Sequence, residues 1–225
     1  MQLTVKQLEA QEVLAGEATH IMLFGGSRSG KTFLLTRAVA TRAIKAPGSR
    51  HAILRFRFNH VKASVVMDTF PKVMSLCYPG VDYHVDKTDW YARVGNDSQI
   101  WFGGLDDKER TEKILGQEHA TLYLNECSQI PFNSQQLATT RLAQNVAQSV
   151  EGMAPAILKP RMYYDCNPPS KAHWSYRLFV EGRDPETRKP LPNAADYVCF
   201  QINPEDNAEN LPPGYLGTLK SLSHR

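Results

Sequence analysis

The stretch Ile21-Met-Leu-Phe-Gly-Gly-Ser-Arg-Ser-Gly-Lys-Thr32 constrains this chain more than any other. Its apolar start predicts a short buried strand, and Gly25-Gly26-Ser27-Arg28-Ser29-Gly30-Lys31-Thr32 fits the pattern G-x-x-x-x-G-K-[ST]. Phe33 to Ala46 holds no Gly or Pro and predicts a helix ended by Pro47-Gly48. Strand, glycine loop and helix, in that order, form the context in which this pattern binds phosphate. The glycines let backbone N–H groups bend around a polyphosphate, and the helix N-terminus adds partial positive charge. In such a loop Lys31 sits on the β- and γ-phosphates and the Thr32 hydroxyl on Mg²⁺. The expected ligand is a nucleoside triphosphate, with the whole loop as its binding set.

A chain of 225 residues suits one large α/β domain, or one domain with a small lid or linker over residues 182–225. A formal charge of +3 permits a nucleic-acid partner without arguing for one. Cys77, Cys127, Cys166 and Cys199 lie far apart, with no C-x-x-C and no nearby His pair. Free thiols in a reducing compartment are therefore expected, rather than a disulfide framework or a zinc site. No apolar run approaches membrane-spanning length and the N-terminus lacks a signal pattern, so the expectation is a soluble intracellular protein with no membrane partner.

Along the chain, Thr4 to Gly16 predicts a helix whose start carries a Thr4/Gln7 capping box and a Leu3/Leu8 staple. His51 to Phe58 reads as a strand, Val61 to Cys77 as a helix interrupted near Pro71, and Val81 to Val94 as strand and turn. Ser98 to Gly103 is a further strand, and Asp106 to Leu115 a charged helix. Ala120 to Asn125 and Pro160 to Asp165 read as strands, and Ser134 to Ala147 and Lys171 to Glu181 as helices. Gly182 to Asp196 is a loop or hairpin, followed by a strand, Tyr197 to Ile202, and a helix, Pro213 to Leu222. Strands alternating with helices predict a mostly parallel central sheet flanked by helices.

A phosphate loop needs a second acidic site at the end of a neighbouring strand. Leu122-Tyr-Leu-Asn125-Glu126 has that form, with Asn125 where Asp is usual. An amide oxygen accepts a hydrogen bond from metal-bound water but carries no charge, so Mg²⁺ affinity is expected to fall. Glu126 is placed to activate the attacking water as general base. The bland readings are a turn-forming Asn125 and a capping or surface Glu126. Asn167-Pro168, at the end of the next strand, puts an amide near the γ-phosphate region, or forms a plain Asn-Pro turn. The two strand-like segments between the loop and Asn125-Glu126 fit a P-loop NTPase of the additional-strand, catalytic-glutamate type. A small-metabolite kinase would need a lid and an acceptor site that no segment supplies.

These strand-end sites resemble the ATPase half of a bacteriophage terminase large subunit, over nearly the whole chain. The marks are Thr4-Val-Lys-Gln7, the loop Gly25–Thr32, Ile53-Leu-Arg55, Ile114-Leu-Gly116, Leu122-Tyr-Leu-Asn-Glu126 and Asp165-Cys-Asn167-Pro-Pro169. Asp206-Asn207 and Leu211-Pro to Tyr215-Leu216 also match. The resemblance implies ATP hydrolysis with Mg²⁺, in a motor that pumps double-stranded DNA into a procapsid. It implies a homo-oligomeric ring on the capsid portal, a small terminase subunit as partner, and the bacterial host cytoplasm as location. Gln7 matches an adenine-reading glutamine, although the capping box is an equally physical job for it. Arg28 matches an arginine kept inside the loop, to contact the γ-phosphate or couple to Glu126, and Asn167 matches the coupling motif. Motors of this type complete each site with an arginine from the neighbouring subunit, for which Arg110 and Arg141 are the candidates by location. The family's other half is a metal-dependent nuclease, and the chain ends before any carboxylate cluster, so an excised or truncated ATPase domain without DNA cutting is expected. Arg183, Arg188 and Lys189 are candidates for salt-sensitive contact with DNA phosphates, against a plain solvated loop. Two other readings stay open: another translocase or helicase core, and a nucleotide-binding scaffold in which Asn125 marks weakened hydrolysis.

Overall fold

The structure is a computed structural model that describes residues 3–150, 152, 154–168 and 170–222; the side chains of Lys108, Arg110, Lys220 and Leu222 fall outside the description. Pro169 of the coupling motif thus lies outside the described residues, as does the side chain of Arg110.

The first helix, α1 (Val5–Ala15), begins as its sequence dictates. The Thr4 hydroxyl accepts from the Gln7 backbone N–H at 3.3 Å, and the Gln7 amide oxygen accepts from the Thr4 N–H at 3.2 Å. Then follow β1 (His20–Phe24), the glycine loop, α2 (Lys31–Lys45) and β2 (Arg50–Arg55). Next, α3 (Phe58–Val61) runs without a break through a π-helical segment (Lys62–Thr69) into α4 (Phe70–Cys77). The expected interruption near Pro71 is therefore a widening of the preceding turns. The Phe70 N–H reaches back to the Val65 carbonyl, which relieves the clash a proline ring makes in an ordinary α-turn.

β3 (Tyr83–Asp86) and β4 (Tyr91–Val94) form an antiparallel hairpin, β5 (Gln99–Gly104) follows, and α5 (Lys108–Leu115) leads into β6 (Thr121–Leu124). α6 (Phe132–Thr139) ends well short of the expected Ala147. Beyond it the chain is tied to the start of β6, because the His119 N–H donates to the Arg141 carbonyl and the Gln144 N–H to that of His119. Those tertiary bonds outweigh the helical propensity of the Ala- and Gln-containing run. A small ribbon, β7 (Ala147–Gln148) with β8 (Ala156–Ile157), precedes β9 (Arg161–Cys166) and α7 (Trp174–Phe179). Residues 182–191 form a tight hairpin bridged at Arg183 and Pro190, with Asp184 Oδ1 accepting from the Glu186 and Thr187 N–H groups. β10 (Tyr197–Gln201), a 3₁₀ stretch (Pro204–Asn210) and α8 (Tyr215–Leu222) complete the order.

The sheet runs β10-β1-β9-β6-β2-β5-β4-β3, parallel from β10 to β5 and antiparallel over the last two strands. Alternate strand residues feed two apolar layers. Ile21, Leu23, Ile53, Phe102 and Tyr123 pack with α1, α2 and the long helix α3–α4 on one face. Met22, Leu54, Leu122, Leu124 and Tyr164 pack with α5, α6 and α7 on the other. The free cysteines are buried at Cys127 and Cys166 and half-buried at Cys77 and Cys199. No helix among the described residues is long and apolar enough to cross a membrane.

This order has one consequence for chemistry. β9, late in the sequence, is inserted between β1 and β6. The strand leading into the glycine loop and the strand leading into Asn125-Glu126 therefore both border β9, and all three end on the same edge of the sheet.

Candidate nucleotide site

The glycine loop takes its shape from residues distant in sequence. Gly25 has φ +141°, and a Cβ there would lie 1.9 Å from the Ile202 carbonyl oxygen just after β10. Gly30 has φ +91°, and a Cβ there would lie 2.7 Å from Gln7 Nε2. Only glycine fits at either position. Asn207 ties the pieces together: its Oδ1 accepts from Gln7 Nε2 at 2.8 Å and from Asn210 Nδ2 at 3.0 Å, and its Nδ2 donates to the Arg28 carbonyl at 2.8 Å. Gln7 thus performs its capping role and also braces the loop. Arg28 is exposed, stands in the left-handed region (φ 60°), and carries its guanidinium over the Tyr215 ring at 5.4 Å.

Lys31 is buried within its own loop, where Nζ donates to the Gly25 and Gly26 carbonyls at 2.9 and 2.8 Å and to Ser29 Oγ at 3.1 Å. Burial pulls its pKa down, while Asp165 and Glu126 push the other way. The Thr32 hydroxyl donates to Asp165 Oδ2 at 3.0 Å. The other carboxylate oxygen, Oδ1, accepts from Asn125 Nδ2 at 2.9 Å and from the Glu126 N–H at 2.8 Å. Glu126 stands in the left-handed region (φ 52°, ψ 51°), a sparsely populated conformation for a non-glycine residue, with the Asp165 bond holding its backbone. Burial first, then the nearby Asp165 charge, raises the Glu126 pKa, against Arg55 and Lys31, which lower it.

The sequence-predicted Lys31, Thr32, Asn125 and Glu126 are therefore brought together. Two neighbours were missed. Asp165 was visible only as part of a motif, because its position depends on β9 lying beside β1. Arg55, at the end of β2, donates to Ser64 Oγ at 3.2 Å, and its buried Nε has no partner. Asn167 is exposed in a bend two residues past Asp165, next to the loop's entry, where the Gly25 N–H donates to the Cys166 carbonyl at 3.2 Å. Arg141, just past α6, has its carbonyl bonded to the His119 N–H ahead of β6, whereas Glu126 follows that strand's other end; its Nε is buried and unpartnered.

The oxygens here suit a hard divalent cation. Asn125 Oδ1 is buried with no hydrogen-bond partner, an acceptor left for a ligand to satisfy. The Thr32 hydroxyl, with its O–H donated in a hydrogen bond to Asp165, keeps lone pairs for a ligand. The residues present thus fit Mg²⁺, although the described residues hold no cluster of three or more His, Cys, Asp or Glu side chains that could hold a metal unaided.

Comparison with known proteins gives the family and the fold. The family model described as phage terminase large subunit matches residues 17–223. The large terminase of a thermophilic bacteriophage superposes with a TM-score of 0.73 at 16% identity, covering 95% of this chain and 48% of the other. The same thermophilic phage protein in complex with ADP gives 0.70 at 15% identity, covering 94% and 48%. The large terminase ATPase domain of Thermus phage P74-26 gives 0.58 at 14% identity, covering 93% and 84%. The chain spans about half the length of the first two of these structures. No curated protein matches it. With the family model spanning nearly all of the sequence, and the fold in accord, the chain belongs to the phage terminase large subunit family.

Proposed function

We propose that this domain hydrolyses ATP to drive double-stranded DNA into a viral procapsid. The observation that carries the reading is the convergence of Lys31, Thr32 and Glu126 around Asp165, from strand ends far apart in the sequence. The thermophilic phage relative binds ADP and the ATP analogue ATP-γ-S in its solved complexes, which supports nucleotide as the ligand.

In this reading residues 25–32 hold the triphosphate, and Lys31 turns from its loop carbonyls to the β- and γ-phosphates. Gln7 reads adenine from its place beside Gly30, and Arg28 swings from Tyr215 to the γ-phosphate. Thr32 and Asn125 would hold Mg²⁺, which would supply charge neutralisation to the triphosphate when bound. Glu126 takes a proton from the attacking water, and its raised pKa makes it a better base than an exposed carboxylate. Asn167, at the end of β9, relays the loss of the γ-phosphate. Arg110 or Arg141 serves the site of a neighbouring copy in a homo-oligomeric ring on the portal, with a small terminase subunit as a further partner. The lid or linker expected over residues 182–225 is not a separate unit, because β10 is a strand of the central sheet beside β1; the hairpin of residues 182–191 remains, with Arg183, Arg188 and Lys189 to face DNA phosphates.

A second reading, a nucleotide-binding scaffold, is favoured by the uncharged Asn125. ATP turnover by the wild type, Glu126→Gln and Asn125→Asp separates the two. The motor reading expects wild-type turnover, lost in Glu126→Gln with ATP binding retained. Negligible turnover in all three proteins, measured at concentrations that allow assembly, supports the scaffold.

A further inference from the structure

In phosphate-loop enzymes of this type the loop Ser/Thr shares its Mg²⁺ with an acid at the end of a nearby strand. Here that strand, β6, ends in Asn125, and the carboxylate that meets Thr32 comes from β9. We propose that Asp165 supplies the negative charge of the Mg²⁺ shell in this site, in place of residue 125. The inference rests on the nucleotide-binding reading above.

Three observations carry it. Asp165 is only 1% exposed, and among the described residues no Lys, Arg or His forms a salt bridge with it. Lys31 acts on this carboxylate at longer range, but its Nζ is engaged by the Gly25 and Gly26 carbonyls, so the buried carboxylate has no ion-pair partner in contact and favours a further positive charge beside it. Its donors are Thr32 Oγ1, Asn125 Nδ2 and the Glu126 N–H, all neutral.

Asp165 also dictates how the other two side chains face. By accepting the Thr32 O–H it turns that oxygen's lone pairs outward as acceptors. By holding Asn125 through the Nδ2 group it leaves Oδ1 buried and unpartnered. One carboxylate therefore orients two oxygen donors and adds the charge that neither carries. The amide thus stands at the end of β6 and the acid on β9. Because β9 and β6 are adjacent, the charge stays within the same group of side chains.

The test is the metal dependence of nucleotide binding at equilibrium. ADP affinity is measured with Mg²⁺ and with EDTA, and Mn²⁺ in the nucleotide complex is followed by electron paramagnetic resonance. The variants are Asp165→Asn and the double exchange Asn125→Asp with Asp165→Asn. The single variant is expected to lower the Mg²⁺-to-EDTA affinity ratio by about tenfold or more, with EDTA affinity nearly unchanged and the bound Mn²⁺ signal weakened. The double exchange, which keeps an amide facing a carboxylate, is expected to restore both. An unchanged ratio in Asp165→Asn overturns the proposal, as does equal loss of affinity with and without metal, the mark of a merely structural residue. If the single variant does not fold, the double exchange decides: a wild-type ratio supports the proposal and a collapsed ratio sinks it. Wild-type protein that binds ADP under neither condition removes the nucleotide reading itself, a result distinct from binding that ignores metal.

Discussion

Replacing Asn207 by Ala should loosen the phosphate loop from beneath. Asn207 is 7% exposed and makes three hydrogen bonds, to Gln7, Asn210 and the Arg28 carbonyl. These bonds do not count equally. The Arg28 carbonyl belongs to an exposed stretch of loop and Asn210 is near the surface, so water replaces Asn207 there at little cost. Gln7 is 3% exposed, and its Nε2 would be left buried without a partner, a penalty of about 1–3 kcal/mol. The expected loss is therefore about 2 kcal/mol. With a urea m-value of roughly 2–3 kcal/mol/M, this moves the unfolding midpoint down by about 0.7–1 M. Asn207→Asp keeps the acceptor for Gln7 but sets an oxygen against the Arg28 carbonyl, a repulsion that this exposed stretch of loop relieves by turning to water, so its cost should be the smaller of the two. Urea titrations of the three proteins, followed by circular dichroism, give the comparison. A cost under about 0.5 kcal/mol for Asn207→Ala, within the range of ordinary surface substitutions, would refute the reasoning. So would equal costs for the two variants, because the bond to Gln7 would then not be the one that matters.

Glu126 has a folded pKa above its unfolded value, so the native state binds the extra proton between the two, and stability falls as pH rises through that window. Glu126→Gln should therefore stabilise the protein at neutral pH, with the gain vanishing below the ordinary carboxylate range, as read by thermal melts across pH. His20, packed on Tyr197 at 4.3 Å and bonded to Tyr164, has its pKa lowered by burial to about 4 from 6.5. Here the unfolded state binds the extra proton, so stability present above pH 6.5 is lost as pH falls toward 4, by about 3 kcal/mol; His20→Gln should flatten that part of the profile. Gly25→Ala sets a Cβ against the Ile202 carbonyl oxygen and should cost about 3 kcal/mol or more. Gly48→Ala, also at positive φ but with open space around it, should cost about 1 kcal/mol, which thermal unfolding distinguishes.

The parts of this molecule legible in the sequence are those set by neighbours along the chain. The Thr4/Gln7 capping box, the strand before Gly25 and the helix after Gly30 depend on residues within a few positions of one another. The pairing of Asp165 with Thr32 was not legible, because it requires β9 to be inserted between β1 and β6. No local signal encodes that order. Ser134 to Ala147 misled in the opposite direction. Its composition favours helix, yet hydrogen bonds to His119 turn the chain after Thr139. The π-helical segment before Pro71 lay between these cases, since the proline announced a disturbance but not its form. Gln7 shows the ambiguity most plainly: one side chain caps a helix, bonds Asn207 and touches Gly30, and sequence spacing revealed only the first of these.

The seating of Gly25 against Ile202, and of Arg28 against Asn207, bears on the order in which the protein matures. The pattern of residues 25–32 is spelled out early in the chain, but its walls come from a stretch nearly two hundred residues later. During synthesis the loop lacks these walls until β10 has been made and has joined the sheet beside β1. Long-range closures of this kind come late and slowly in folding. Acquisition of phosphate affinity by a refolding chain would then be a clock for the final docking step, ticking after the helices and the central strands have already assembled.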